Sequence, residues 1–305
     1  MTPPPHTLSD GFDPGVLSAL GGLDFKARYV MEGFLGGLHR SPFRGVSFDF
    51  SDYHRYQPGD DLRRLDWRLY ARNDRLCIKR YMQETNVRFY LVCDSSASMA
   101  YRGQGAWASK LECAKVLAAA IAWFLLKQND AGGLISFKGE DNVPEFIRPS
   151  QKPGQPGLLL RQLEALRPVG GACLSALLEH TCRLAQRRSV ILFFSDLLEP
   201  SQEVRRGFQE LRFQGHEVVI FQVLDRDELE FPFAGPEVFV DLETGLRRTI
   251  VPAAARQLYL TRFNQFMEAY RDLFQGLEMS HFLVRTDMNP CNALALFLSR
   301  RKHSR

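Results

Sequence analysis

The chain has 305 residues, 45% of them hydrophobic and 24% charged, and its 39 Lys+Arg against 35 Asp+Glu give a formal net charge of +4. Such a balance excludes a wholly disordered or fibrous chain and is too mild to define a nucleic-acid binder by charge alone. The length suits one large or two unequal domains.

Residues 1–14, rich in proline, are expected to form a flexible tail, and Met1–His6 carries no basic stretch running into an apolar one, so no secretory signal is expected. Val16–Leu38 has helical periodicity, with a break at Gly21-Gly22 and an end at Gly36-Gly37. Ser41–Glu84 is dense in arginine, aspartate and aromatics and reads as short strands and turns, so residues 15–85 form a helical and β extension packed on the core. Residues 86–305 form the main domain. Its strands are expected at 87–93, 132–137, 189–194, 217–224 and 281–284, and its helices at 110–128, 156–166, 174–186, 202–213, 252–275 and 290–299. A hairpin is expected at 237–250, turning at Glu243-Thr244-Gly245. Val116–Leu126, the longest nearly apolar run, is far short of the ~20 residues that span a bilayer, and flanking charges make it a core helix. Strands alternating with helices predict an α/β fold, a mostly parallel sheet with helices on both faces. The six cysteines have neither C-x-x-C nor zinc spacing, and most of them, in apolar segments, are expected as buried thiols of a cytoplasmic protein.

In such a sheet, ligands bind beyond the carboxyl ends of the strands, where the strand order reverses. After the first apolar strand comes Asp94-Ser95-Ser96-Ala97-Ser98, and after 189–194 comes Ser195-Asp196. Asp94, Ser96 and Ser98 stand one, three and five residues along a turn and can aim three oxygens at one point, with Asp196 approaching from the opposite loop. Oxygen donors suit a hard divalent cation, Mg²⁺ or alternatively Mn²⁺ or Ca²⁺. The same residue types also make ordinary turns and helix caps.

Asp94-x-Ser96-x-Ser98 with Ser195-Asp196 resembles the metal-ion-dependent adhesion site of von Willebrand factor A domains. The upstream block is similar to the family called domain of unknown function 58. That block comprises Ser41-Pro-Phe-Arg-Gly-Val-Ser-Phe-Asp-Phe50, Tyr56-Gln-Pro-Gly-Asp-Asp-Leu-Arg-Arg-Leu-Asp-Trp67, Ala71-Arg72-Asn73-Asp74 and Lys79-Arg80-Tyr81. The resemblance implies a von Willebrand A-like domain with an N-terminal extension. It also implies a non-enzymatic adaptor working with a MoxR-type AAA+ ATPase, or with an acidic client, in protein maturation or complex assembly. One departure concerns the middle loop, Gly170-Gly171-Ala172-Cys173-Leu174-Ser175, where Ala172 stands at the position of the family's threonine ligand. An alanine cannot coordinate, so the metal site is expected to be degenerate.

Two alternatives follow from other residues. Lys26–Arg88 holds 13 Lys/Arg against 8 acids, a net +5 that leaves the rest of the chain at −1. Interleaved aromatics would suit nucleic acid, but the adjacent acids favour internal Arg–Asp pairing. A metal-dependent, phosphatase-like hydrolase is the rival enzyme reading. Against it, no histidine, cysteine or lysine is locally paired with Asp94 or Asp196, His180, His216 and His281 fall in helical or strand segments, and phosphate-loop and Gly-x-Ser-x-Gly motifs are absent.

Overall fold

The computed structural model describes residues 14–40, 53–55, 77–79, 87–138, 143–170, 173–199, 201–235 and 237–303. The chain divides into two compact units, residues 35–85 and the remainder. In the smaller, β1 (Tyr53–Arg55) pairs antiparallel with β2 (Cys77–Lys79). The rest of the arginine- and aspartate-rich block, with the ion pairs expected there, lies outside the described residues, as do residues 1–13.

The helices α1 (Pro14–Ala19) and α2 (Leu23–Arg40), the second of which runs past the division at residue 34, are separated at Gly21-Gly22, as their sequence predicts. The expected end at Gly36-Gly37 is not observed, since α2 runs on to Arg40. Two glycines lower helix propensity by about 1 kcal/mol each without breaking the backbone hydrogen-bond ladder as a proline would.

The sheet is built from β3 (Arg88–Cys93), β4 (Ala131–Lys138), β5 (Val143–Ser150), β6 (Val190–Ser195), β7 (Glu217–Leu224) and β10 (Ser280–Arg285), in the order β10-β7-β6-β3-β4-β5. Five strands are parallel, and only β5 runs antiparallel, against β4. The unbroken apolar runs are thereby explained: every residue of β6 is buried. The sequence analysis missed β5, whose Val143-Pro-Glu-Phe-Ile-Arg-Pro-Ser150 carries two prolines and no clean alternation; prolines are tolerated at an edge, where a missing N–H faces no neighbour. The register of β4 and β5 shifts between Gly132 and Leu134. At Gly133 the strands approach so closely that a Cβ would lie 2.7 Å from the Ile147 carbonyl oxygen.

Helices cover both faces. One face packs Tyr90, Val92, Ile191, Phe193, Val218 and Ile220 against α5 (Leu174–Leu184), α6 (Gln202–Phe213) and α8 (Pro252–Gly276), with Phe208 edge-on to Phe193 and Phe274. The other face receives α3 (Lys110–Lys127), which touches β3, β4, β6 and β7 and is buried almost all round through Ala118-Ala119-Ala120. Ser109 caps it, accepting from Glu112 N–H. The helices α4 (Gln155–Ala165) and α9 (Pro290–His303) pack against α3. The short α7 (Arg226–Glu230) follows β7, and β8 (Glu237–Val240) pairs with β9 (Arg247–Ile250) as the expected hairpin. No described helix is long and apolar enough to cross a membrane.

Candidate functional site at the carboxyl rim of the sheet

After β3 the chain moves outward to β4 and β5, then returns to β6 on the other side of β3. The order therefore reverses between β3 and β6, where a doubly wound sheet leaves a crevice. Asp94 and Asp196 follow the carboxyl ends of these two strands, and Asp94 N–H donates to the Phe194 carbonyl, 2.9 Å.

Asp94 is buried and hydrogen-bonded at both oxygens. Ser96 N–H donates to Oδ1 (2.9 Å), and the Ser195 hydroxyl donates to Oδ2 (2.6 Å). Burial, reinforced by the charge of Asp196, pushes the Asp94 carboxyl up to about 6, against the lowering effect of the Ser195 and Ser96 hydrogen bonds. The bond from Ser96 N–H is a turn contact of the ordinary kind. The two hydroxyls behave differently: Ser96 stands at the N-cap of a 3-10 turn (Ala97–Ala100) but its side chain caps nothing, and Ser96 Oγ lies 3.0 Å from Ser98 Oγ. The three loop residues thus place their oxygens together.

Asp196 arrives from β6 and is held from two sides. Leu198 N–H donates to Oδ1 (3.1 Å) and the Lys110 ammonium donates to Oδ2 (2.7 Å). The backbone then turns left-handed at Leu197 (φ 61°), a conformation a leucine adopts only under constraint, while Leu197 N–H donates to Ser195 Oγ. Ser195 is thus a hub between Asp94 and the β6 turn.

Lys110 corrects the sequence analysis, which paired no lysine with Asp196. Residue 110 opens α3, and the fold carries its ammonium, closed off from water, to Asp196 and to Glu228 Oε1 (2.6 Å). Burial disfavours the charged ammonium, but Asp196 and Glu228 outweigh this and hold its pKa above the ordinary lysine value. Burial raises Glu228, with Lys110 opposing. Glu228 was also missed, although Asp225-x-x-Glu228 has capping-box spacing; the box forms, with Glu228 Oε2 accepting from Asp225 N–H. Asp225 itself, buried, accepts from Gly103 N–H and the Thr286 hydroxyl.

The middle loop reaches the same rim. Val169 N–H donates to the Ser95 carbonyl (2.7 Å), while Gly171 and Ala172 lie outside the described residues. Ser175, next along this loop, has its Oγ 2.6 Å from Cys173 Sγ. From the hairpin, the carboxylate of Glu243 accepts from Ser98 N–H at 3.0 Å, a contact the sequence analysis did not anticipate because an acid in a turn is unremarkable.

Among the described residues no group of three or more His, Cys, Asp and Glu is placed to hold a metal ion. The donor set of Asp94, Ser96, Ser98 and Asp196 is nonetheless all oxygen, which is the chemistry a hard cation takes. Asp196 and Glu228 share the Lys110 ammonium, while burial beside Asp196 raises Asp94. Such a donor set is of the kind that Mg²⁺ takes.

Nucleophilic chemistry finds little support nearby. Burial raises the Cys93, Cys113 and Cys291 thiols to about 12. His180 packs edge-on against Phe137, and His281 bonds Gln222.

A mostly parallel sheet with helices on both faces makes this an α/β protein. More particularly, the chain belongs to the family described as Protein of unknown function DUF58, which matches residues 52–269. It is 29% identical over 251 residues to an uncharacterized protein of Mycobacterium tuberculosis (strain ATCC 25618 / H37Rv), covering 81% of this chain and 77% of that protein. Among solved structures it is similar to BatB from Bacteroides thetaiotaomicron, a conserved hypothetical protein (16% identity, 70% of this chain and 98% of that one, TM-score 0.39). It is also similar to an aerotolerance-related membrane protein from Bacteroides fragilis NCTC 9343 (16% identity, 71% and 99%, TM-score 0.41) and to the SpRpn10 VWA domain (15% identity, 46% and 76%, TM-score 0.34).

Proposed function

We propose that this chain is a non-enzymatic docking module of the cytoplasm, a von Willebrand A-like domain whose rim receives an acidic side chain of another protein. The partner is a MoxR-type AAA+ ATPase or an acidic client, and the task is protein maturation or complex assembly. The observation that carries the reading is the convergence at the switch point: Asp94 with its flanking hydroxyls is raised by the charge of Asp196, and one buried ammonium is shared by Asp196 and Glu228.

Asp94, Ser96 and Ser98, with Asp196 opposite, would hold a divalent cation such as Mg²⁺, which supplies an open position for a carboxylate oxygen. The chain's own residues do the positioning. Ser195 orients Asp94, Lys110 and Leu198 N–H fix Asp196, and Ser98 N–H presents a donor at the rim. The reading of Lys110 as a positioning group rather than a base rests on its pairing with both Asp196 and Glu228.

Calorimetric titration of Mg²⁺ or Mn²⁺, together with pull-down of the cognate ATPase, tests this on wild type and Asp94→Ala. Metal binding and capture by wild type, both lost in the variant, are expected; equal capture by both chains would overturn the metal-bridged reading.

A further inference from the structure

The β8–β9 hairpin pairs with no other strand among the described residues. Its first strand is anchored by aromatic packing close to the turn: Phe239 stacks on Phe231 (5.7 Å between centroids) and meets Phe233 edge-on (5.1 Å). Its tip is stiff. Asp241 Oδ1 accepts from Glu243 N–H (2.9 Å) and Thr244 N–H (3.2 Å), Gly245 N–H donates to the Asp241 carbonyl (2.8 Å), and Gly245 has the positive φ (71°) such a turn needs. From this tip Glu243 reaches Ser98 N–H, 145 positions back in the chain, in a hydrogen bond open to solvent. With the strand held by rings, the contact of Glu243 with Ser98 can open while the hairpin stays in place, since an exposed contact of this kind is weak and reversible.

The chemistry of that contact matters more than its strength. A side-chain carboxylate, mounted on a preformed turn, lies against the loop that carries Asp94, Ser96 and Ser98. We infer that Glu243 is an intramolecular stand-in for the partner's carboxylate, so that the β8–β9 hairpin keeps the rim self-occupied until a partner displaces it. The inference rests on the docking function proposed above and adds its regulation. A tethered carboxylate competes at an effective concentration in the millimolar range. The affinity for a free carboxylate falls by the fraction of molecules whose rim is open. Replacing Glu243 therefore tightens binding without touching any group assigned to holding the partner.

The test uses the full chain and its Glu243→Gln variant, titrated in Mg²⁺ with the blocked peptide acetyl-Gly-Glu-Gly-amide and read by NMR at the Ser98 amide. The expected result is roughly 3–10-fold tighter binding by the variant, with the Ser98 amide of the free variant exchanging faster than in wild type. Equal affinity in the two chains overturns the inference while leaving the docking function standing. No binding by either chain overturns the docking function and the inference with it. Equal binding of acetyl-Gly-Gln-Gly-amide does the same, because the carboxylate would then carry no recognition.

Discussion

Lys110 and Asp196 meet at 2.7 Å with the lysine side chain closed to water and the aspartate 3% exposed. One residue opens a helix and the other ends a strand 86 positions later, so their pairing ties α3 to the switch point. Removing one partner of a buried pair leaves the other charge uncompensated, and here two carboxylates depend on one ammonium. Lys110→Met is expected to lower unfolding free energy by roughly 3–5 kcal/mol in urea titrations. A loss below about 1 kcal/mol would mean that the ammonium is not what holds Asp196 and Glu228.

Ser195 is fully buried and serves two neighbours, donating to Asp94 and accepting from Leu197 N–H. Ser195→Ala strands both groups. A destabilisation of about 1–3 kcal/mol is expected, and the calorimetric response to Mg²⁺ should weaken with it. Unchanged stability and unchanged metal response together would show that Asp94 needs no orienting hydroxyl.

Gly133 tests the sheet rather than the rim. A methyl group there would lie 2.7 Å from the Ile147 carbonyl, which is backbone and cannot swing aside. Gly133→Ala should cost on the order of 1–3 kcal/mol, whereas Gly105→Ala, with nothing within 4 Å of the added atom, should be close to neutral in the same thermal melts.

His216 gives a dependence on pH. Burial lowers its pKa below 6.5, and Arg188, Arg212, Glu217 and Glu278 line the recess around it. The unfolded chain takes up a proton there more readily than the folded one, so this residue's contribution is complete above about pH 6.5 and declines as the pH falls. The stability of His216→Gln should vary less than that of wild type between pH 7 and 5. Superimposable pH profiles would remove His216 from the account.

The parallel strands were legible because an unbroken apolar run such as Val190–Phe194 needs cover on both faces, and the pair of rim carboxylates followed from where those runs stop. Local signals also located the hairpin through Glu243-Thr244-Gly245 and α8 through Pro252 at its first turn. Lys110, Glu228 and Glu243 were not legible as members of the rim, since each looks locally like a helix start, a cap or a turn. Their meeting with Asp196 and Ser98 is a product of strand order, which no short window of sequence contains. The strand β5 was hidden for a related reason: at an edge, prolines and charges cost little, so the usual alternation is not enforced.

The bond between Ser195 and Asp94 joins positions 101 apart, on strands that are neighbours in the sheet although β4, β5 and the two following helices lie between them in the chain. Neither half of the rim has its geometry alone. A chain that holds β3 without β6 therefore lacks the Ser195 hydroxyl that orients Asp94, so the rim is complete only when both strands stand side by side in the sheet.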